Sequence, residues 1–389
     1  MKLRTSAAVI MALAMSGAAC AADSFKVGLM TTLSGPGATV GVEIRDGFEL
    51  GVKHLGGKIG GVDTKVLVVD DQQKADIGRQ ALNRLLKRDR VDVMTGMAFS
   101  NVLLPLMPSI LSSDTPYISA NTGPADYAGA KCDKNFFVVS WQNEDIPAAM
   151  GKYVSEQGHK KVFLIAPNYP GGRESIAGFK HLYEGELADE VYVKVGQLDF
   201  AAEIAQVRAS KADSVFFFLP GGMGISFIKQ LHASGLSKDV AVYTPGFSAD
   251  QDTIRAVGDA MLGMTNSSQW SPDIKNDSNE RFVSEFEKEY GRIPSLYASQ
   301  AYDAALLLDS AVRSVGGDVK DRDAFRAALR DADFNSVRGD FIFNTNQYPI
   351  QDYYMRVVEK DDQGRITNRI VGKVLENYRD PFAVECKMG

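Results

Sequence analysis

The segment FKVGLMTTLSGPGATVG, residues 25–41, begins with an apolar, β-rich run and continues into a turn of small residues. Its Val, Leu, Met and Thr side chains favour a buried strand, and the glycines after them predict a turn that leads into a helix over residues 43–55. The same order returns at KVFLIAPNYPGG, residues 161–172, which precedes a helix predicted over residues 173–183. Repeated strand–turn–helix units predict parallel sheets with crossover helices.

Each of these two segments begins a set of alternating strands and helices. The first set has predicted strands at residues 25–33, 64–71, 91–97 and 115–121. The second set has predicted strands at residues 161–169, 190–197, 214–220 and 240–246. Two consecutive sets of similar length predict an α/β protein built from two Rossmann-like lobes. After them the chain predicts two strong helices, at residues 279–291 and 296–315, and a late antiparallel hairpin at residues 353–374.

We expect the chain to pass between the lobes three times, which makes a three-segment hinge. The crossings are expected near residues 139–143, 266–272 and 344–350. The predicted parts are a signal peptide at 1–22, a first lobe at 23–141 and 271–346, a second lobe at 142–270 and 347–380, and a C-terminal tail at 381–389. Open α/β sheets bind ligands beyond the carboxyl ends of their strands, so we expect a ligand in the cleft between the lobes.

The N-terminus has the three parts of a secretory signal peptide. Lys2 and Arg4 are followed by an unbroken apolar run at residues 7–15 and then by small residues as far as Ala22. The apolar run is too short for a spanning helix, which needs about 20 apolar residues. A lipid anchor on Cys20 is the alternative, although Gly17 stands where the cleavage box of such proteins usually has Leu. We therefore predict export to the periplasm.

Composition excludes several classes of partner. The formal net charge is −6, with the acidic excess spread along the chain, which argues against nucleic acid or an anionic membrane surface as a partner. No later segment is long and apolar enough for membrane insertion. The four histidines lack the spacing of metal ligands, and we expect no metal and no cofactor. Motifs of hydrolases, zinc proteases and P-loop enzymes are absent from the sequence, which favours binding over catalysis and predicts that the protein is not an enzyme.

Cysteine usage suggests a crosslink. Cys132 and Cys386 remain as an even pair once a signal peptide containing Cys20 is removed. An oxidising compartment favours a disulfide between them, which would hold the C-terminal tail near Cys132. Two buried thiols are the alternative.

Candidate ligand contacts follow the predicted strands of the first lobe. Phe99 and Ser100 stand after the third strand, where a helix begins, and exposed N–H groups at a helix N-terminus favour an anion such as a carboxylate. Simple capping of that helix by Ser100 is the alternative. Asn121 and Thr122 follow the fourth strand and offer side-chain donors.

The second lobe and the first crossing add further candidates. Tyr169 ends a strand just before Pro-Gly-Gly, and Gly222 lies in LPGGMG, where the backbone could approach the cleft closely. Trp141, at the first crossing, could stack on a ligand or stiffen the hinge. Asp70 and Asp71 are poor candidates for paired acid–base chemistry, because neighbours along a strand point to opposite faces.

The chain resembles the type I periplasmic receptors of the leucine/isoleucine/valine-binding family over nearly its whole mature length. The resemblance is carried by KVGLMTTLSGPGATVG, by an Asp-Gly helix start in IRDGFELG (residues 44–51), and by TGMAFSN, YISANTGPADYAG, APNYPGG, KQLHASGL and YGRIPSLYASQAYDAA. It implies a receptor that closes on a small molecule and docks, as a monomer, onto an ABC permease in the inner membrane. It also implies that Ser100 holds a ligand carboxylate, that Asn121 and Thr122 supply neighbouring contacts, and that Tyr169 covers the ligand.

One departure from the family pattern bears on the ligand. Amino-acid-binding members pair the ligand ammonium with an acidic residue at a place where this sequence has Gly246-Phe247-Ser248, with Asp250 slightly later. A buried ammonium without a carboxylate would cost several kcal/mol. Phe247, Tyr169 and Phe99 suit a carboxylate with an aromatic body, and ANTGPADYAG and APNYPGG are similar to members that bind such acids. We therefore expect a benzoate-like or phenylpropanoid acid; a branched-chain or other amino acid, bound for transport or sensing with Asp250 in a shifted loop, is the alternative.

Overall fold

The computed structural model describes residues 24–388. The predicted signal peptide at residues 1–22 and the possible lipid attachment at Cys20 lie outside the described residues. Within residues 24–388, no helix combines the length and the apolar character needed to span a membrane.

The first lobe is built on a mainly parallel sheet. Its strands are β1 (Phe25–Thr31), β2 (Lys58–Ile59), β3 (Val62–Asp70), β4 (Val93–Thr95), β5 (Tyr117–Ser119) and β6 (Phe136–Val138). The helices between them are α1 (Ala38–His54), α2 (Ala75–Asn83), α3 (Ser100–Leu111) and α4 (Ala125–Ala128). The strands lie in the order β2-β3-β1-β4-β5-β6, and only β2 runs antiparallel to its neighbour.

The second lobe repeats this plan and adds an antiparallel edge. Its strands are β7 (Lys161–Pro167), β8 (Glu186–Val193), β9 (Ser214–Phe217), β10 (Ala241–Pro245), β11 (Thr265–Ser268), β12 (Ile342–Phe343), β13 (Pro349–Lys360) and β14 (Ile366–Tyr378). The accompanying helices are α5 (Asp145–Glu156), α6 (Pro170–Leu182), α7 (Ala201–Ser210), α8 (Gly222–Ala233) and α9 (Gln251–Val257). The strands lie in the order β12-β13-β11-β10-β9-β7-β8, and β14 pairs with β13 as the predicted late hairpin.

Both lobes share one topology. In each parallel part the first strand lies between the second and the third, as β3-β1-β4-β5-β6 and as β8-β7-β9-β10-β11. This order places a topological switch point beside β1 in one lobe and beside β7 in the other, and loops at such points form ligand clefts. The predicted fold of two Rossmann-like lobes is confirmed.

The chain passes from the first sheet to the second after β6 and returns after β11. It then forms α10 (Asp277–Tyr290), α11 (Leu296–Ser314) and α12 (Arg322–Asp331) before entering β13. Helices α11 and α12 belong with the first lobe, since α11 packs along α1 and Arg326 of α12 donates hydrogen bonds to Asp114 and Asn135. The residue boundaries predicted for the lobes stay predictions.

The Asp46-Gly47 pair corrects one expectation. It was expected to begin a helix, but α1 begins at Ala38, so the pair lies within the helix. A Cβ atom on Gly47 would lie 2.1 Å from the carbonyl oxygen of Ala298 on α11. Glycine at this position therefore serves close packing between two helices, and helix initiation takes place nine residues earlier in the chain.

The predicted crosslink is confirmed. Cys132 and Cys386 form a disulfide with their Cα atoms 5.5 Å apart. It joins the C-terminal tail to the loop between α4 and β6, and the backbone turn at Pro381–Glu385 lies against α4.

Candidate ligand-binding site

A cavity lies between the lobes at the two switch points. The space between its walls, including the part open to solvent, is about 400 Å³. Nearly all of the lining residues follow the carboxyl end of a strand: Ala98, Phe99 and Ser100 after β4, Asn121 and Thr122 after β5, Trp141 and Asn143 after β6, Tyr169 and Gly171 after β7, Phe218 and Pro220 after β9, and Phe247 after β10. Val40 of α1 and Tyr297 of α11 complete the lining.

The N-terminus of α3 supplies one polar end of the cavity. Phe99 has an extended backbone, Ser100 is the first helical residue, and no side chain caps this helix. The capping role considered for Ser100 is therefore not what the structure has. Instead the Ser100 hydroxyl oxygen accepts a hydrogen bond from Nδ2 of Asn143 at 3.4 Å. First-turn N–H groups lack partners within a helix, so this end of the cavity favours an anion.

Thr122 and Asn121 differ in what they can offer a ligand. Thr122 is 5% exposed, and its Oγ1 is buried with no hydrogen-bond partner among residues 24–388. The Asn121 amide is engaged at both ends, because Nδ2 donates to the carbonyl of Ala98 and Oδ1 accepts from Nε2 of Gln300 at 3.0 Å. Thr122 thus presents a free hydroxyl at the cavity wall, whereas the Asn121 side chain holds the loop in place.

Aromatic rings form most of the remaining wall. Trp141 packs against Phe247 with ring centroids 4.6 Å apart, and Phe218 meets Phe247 at 5.4 Å and Tyr169 at 6.3 Å. Phe99 and Tyr297 line the same space. Burial raises the pKa of Tyr169, and the nearby Glu174 charge adds to this, so its hydroxyl stays protonated at neutral pH. The walls suit a flat apolar body, since aromatic pairs favour offset or edge-to-face contact.

Glycines allow the second lobe to approach the first. A Cβ atom on Gly171 would lie 3.2 Å from Oγ of Ser100 and 2.9 Å from the Tyr169 ring, so a larger residue would press on the cavity wall. Gly222 does not line the cavity. Its N–H donates across the cleft to the carbonyl of Pro36 at 3.1 Å, and its predicted contact with ligand stays a prediction.

No Asp, Glu, Lys, Arg or His is found among the described residues that line the cavity. Asp250 lies elsewhere and is fully buried. Its carboxylate accepts hydrogen bonds from the N–H groups of Leu296 and Gln251 and lies 3.8 Å from Nη1 of Arg356. Burial raises the pKa of Asp250, and the Arg356 charge opposes that effect. The cavity therefore presents hydroxyls, amides and rings, without a counter-charge for a ligand ammonium.

Asp70 and Asp71 organise the rim of the cleft instead of forming a chemical pair. The Asp70 carboxylate accepts from the N–H of Leu33 at 2.8 Å and from the hydroxyl of Ser34 at 2.7 Å. Asp71 accepts from the hydroxyl of Thr32 at 2.5 Å. These bonds hold the loop between β1 and α1.

Several lining residues were missed in the sequence. Phe218 and Pro220 follow β9, so the rule that ligands meet strand ends could have identified them. Asn143 lies within a predicted crossing but carried no distinguishing motif. Tyr297 comes from α11, far along the chain, and no local pattern marks it.

Comparisons with known proteins agree with this geometry. A family profile described as periplasmic binding protein matches residues 24–364. The chain is similar to a solute-binding protein of an ABC transporter from R. palustris in complex with benzoate, with a TM-score of 0.89 and 31% identity over 94% of this chain and 100% of that one. A second such protein, from Rhodopseudomonas palustris BisB5 in complex with 3,4-dihydroxy benzoic acid, gives a TM-score of 0.86 and 28% identity over 92% and 99% of the two chains.

A curated relative extends the comparison. The Leu/Ile/Val-binding protein homolog 6 of Brucella melitensis is 26% identical in an alignment 397 positions long, which covers 98% of each chain. The resemblance to the leucine/isoleucine/valine-binding receptors is thereby confirmed. The profile match over most of the chain, together with two like lobes around one cleft, shows that the chain belongs to the type I periplasmic binding proteins.

Proposed function

We propose that the protein is the extracytoplasmic solute receptor of an ABC-type importer and that it binds a small aromatic carboxylate, such as a benzoate or a phenylpropanoid acid. The observation that carries this proposal is the composition of the cavity wall. One end offers the Thr122 hydroxyl, the Ser100 hydroxyl and the start of α3, and the rest is ringed by aromatic side chains.

The polar end suits a carboxylate. A hydroxyl without a protein partner can donate to a ligand oxygen, and hydrogen bonds to an ionised acceptor are about twice as strong as neutral ones. Thr122 is in this state, and Ser100 uses its oxygen as an acceptor and keeps its hydrogen free. Asn121 contributes by fixing the loop from which Thr122 projects.

The aromatic walls suit the ligand body. Trp141, Phe247 and Tyr169 would contact a ring placed between the lobes, with Phe99 on the first-lobe side. Two similar proteins of known structure carry benzoate and 3,4-dihydroxy benzoic acid, which supports the same ligand class here. An α-amino acid is disfavoured, because its ammonium would meet Phe247 where a counter-charge is needed.

The mechanism follows from contacts that only the closed cleft can make. Gly222 bonds to Pro36 across the cleft, and the Tyr297 hydroxyl donates to the carbonyl of Phe247 at 3.0 Å. A ligand that touches both lobes favours this closed arrangement over an open one. The closed receptor would then dock, as a monomer in the periplasm, onto a permease of the inner membrane.

A ligand screen by thermal shift, followed by calorimetry, tests the proposal. The panel is benzoate, 4-hydroxybenzoate, cinnamate, neutral benzamide, leucine and isoleucine. A ligand present at 100 times its Kd adds about 2.7 kcal/mol of apparent stability. We expect the aromatic acids to lead, with one site per chain and with benzamide far weaker than benzoate. A response led by leucine or isoleucine, with the aromatic acids silent, would overturn the ligand class.

A further inference from the structure

Glu174 bridges the two lobes at the edge of the cavity. It lies on α6 of the second lobe, yet its Oε1 accepts a hydrogen bond from the N–H of Ala125 at 3.1 Å, where α4 of the first lobe begins. Its Oε2 accepts from Nδ2 of Asn143 at 2.5 Å, in the segment that crosses between the lobes. One oxygen of this carboxylate is therefore bonded to the first lobe, and the other is bonded to the segment that joins the lobes.

Asn143 connects this carboxylate to the ligand site. Its Oδ1 accepts from the N–H of Gly123 at 2.8 Å, which identifies the oxygen of the amide and leaves Nδ2 as the donor. One Nδ2 hydrogen points to Glu174 and the other to Oγ of Ser100 at 3.4 Å. Because the Ser100 oxygen accepts this bond, its own hydrogen is free to point into the cavity.

The carboxylate sits where like charges oppose it. Burial raises the pKa of Glu174, the hydrogen bonds from Asn143 and Ala125 oppose that effect, and the Asp126 charge adds to it. Burial and the Glu174 charge together raise the pKa of Glu144 to about 7. A carboxylate in such a place needs its donors, and the Ala125 donor reaches it only while the lobes are together.

We propose that Glu174 is a positioning residue that couples closure of the lobes to the orientation of the Ser100 hydroxyl, through Asn143. The inference rests on the proposed function, in which Ser100 donates to a ligand carboxylate. When the lobes separate, Glu174 leaves Ala125, and the Asn143 amide can no longer bond Gly123 of the first lobe and Glu174 of the second at the same time. On closure the chain Glu174–Asn143–Ser100 forms and aims one hydroxyl hydrogen at the ligand.

A double-mutant cycle tests this chain. The variants are Glu174→Gln, Ser100→Ala and their combination, and Glu184→Gln is the control because Glu184 is an exposed acid shortly after α6. A glutamine at 174 has only one acceptor oxygen, so its NH2 group must face the donor of either Ala125 or Asn143. One of the two hydrogen bonds is then lost, because two donors face each other. We expect Glu174→Gln to raise the Kd for benzoate by about tenfold or more, the loss typical of a charge-assisted hydrogen bond.

The kinetics and the coupling separate positioning from a merely structural role. Stopped-flow tryptophan fluorescence, with Trp141 in the cavity wall as reporter, should place the Glu174→Gln effect in a faster release rate with the association rate nearly unchanged. In the Ser100→Ala background the same substitution should cost at least about threefold less, because the two residues act along one path. Glu184→Gln should leave both rates as they are.

Two results would overturn the inference. One is a wild-type Kd for Glu174→Gln, and the other is an equal loss in both backgrounds, which would make Glu174 independent of Ser100. Failure of the proposed function looks different, because wild-type protein would then bind no aromatic acid. In that case the cycle is run with the carboxylate ligand that leads the screen, and the same two results decide it.

Discussion

Replacing Thr122 by valine removes one hydroxyl from the cavity wall while nearly keeping the shape of the side chain. Thr122 is 5% exposed, and its Oγ1 has no hydrogen-bond partner among the described residues. If this hydroxyl donates to a ligand carboxylate, its removal loses about 1.5–3 kcal/mol, the range for a hydrogen bond to a charged group. At about 1.4 kcal/mol per factor of ten, the Kd for benzoate should rise about 10- to 100-fold.

The ligand-free protein should respond in the opposite sense. A buried polar group without a partner costs about 1–3 kcal/mol, so the valine variant should unfold at the same denaturant concentration as wild type or at a higher one. Calorimetry with benzoate measures the affinity, and urea unfolding of the free protein measures the stability. A weaker complex formed by an equally stable protein is the combination that a ligand contact predicts.

Thr31→Val is the matched control. Thr31 is also buried, and its Oγ1 has no hydrogen-bond partner within residues 24–388, but it lies in β1 and does not line the cavity. This variant should leave the Kd for benzoate unchanged. An unchanged Kd in Thr122→Val would remove Thr122 from the carboxylate site, and an equal rise in both variants would trace the effect to general changes in packing.

Two further predictions concern stability. Substituting Cys132 and Cys386 by serine removes a crosslink between residues separated by 254 positions and should lower the free energy of unfolding in urea by about 2–4 kcal/mol. The ligand affinity should stay the same, because neither residue lines the cavity. A double variant as stable as wild type would contradict this prediction. Burial, with the Asp250 and Glu43 charges, raises the pKa of Asp252 from 3.8 to about 7, and both of its carboxylate oxygens are buried and unpaired among residues 24–388. A carboxyl whose pKa is higher in the folded state stabilises the fold at low pH and loses this contribution as pH rises from about 4 to 7. The stability of Asp252→Asn relative to wild type should therefore rise by about 2–3 kcal/mol between pH 5 and pH 8. A stability difference that is the same at both pH values would refute the reasoning.

The sequence predicted those parts of the site that depend on a single strand end. Ser100, Thr122, Tyr169 and Phe247 each follow a strand of a parallel sheet, so the fold class alone brought them to one cleft. The role of Asn121 was not predictable, because the residue type does not reveal that its amide is hydrogen-bonded to Ala98 and Gln300.

Features that depend on how the two lobes pack together could not be predicted from the sequence either. Tyr297 reaches the cavity from α11 only because that helix packs on α1. Gly47 permits this close packing from the middle of α1, whereas the Asp-Gly pair in the sequence suggested the start of a helix. Glu174 lies two residues after the segment APNYPGG, yet its partners lie in the other lobe and in the crossing segment. Contacts between lobes join residues far apart in the chain, and local patterns carry no information about them.

The absence of a charged side chain from the described cavity wall has a consequence for selectivity. A carboxylate needs no cation there, because hydroxyls and the N–H groups at the start of α3 carry partial positive charge towards it. An ammonium group has no equivalent, since Asp250 is held by Leu296, Gln251 and Arg356. Both oxygens of Glu174, at the edge of the cavity, are taken by Ala125 and Asn143. Moving Asp250 to the cavity would leave the fully buried Arg356 without its carboxylate, and breaking a buried pair in this way costs about 3–5 kcal/mol. With Asp250 bound to these partners and Phe247 in the cavity wall, we expect the site to favour acids that carry no amine.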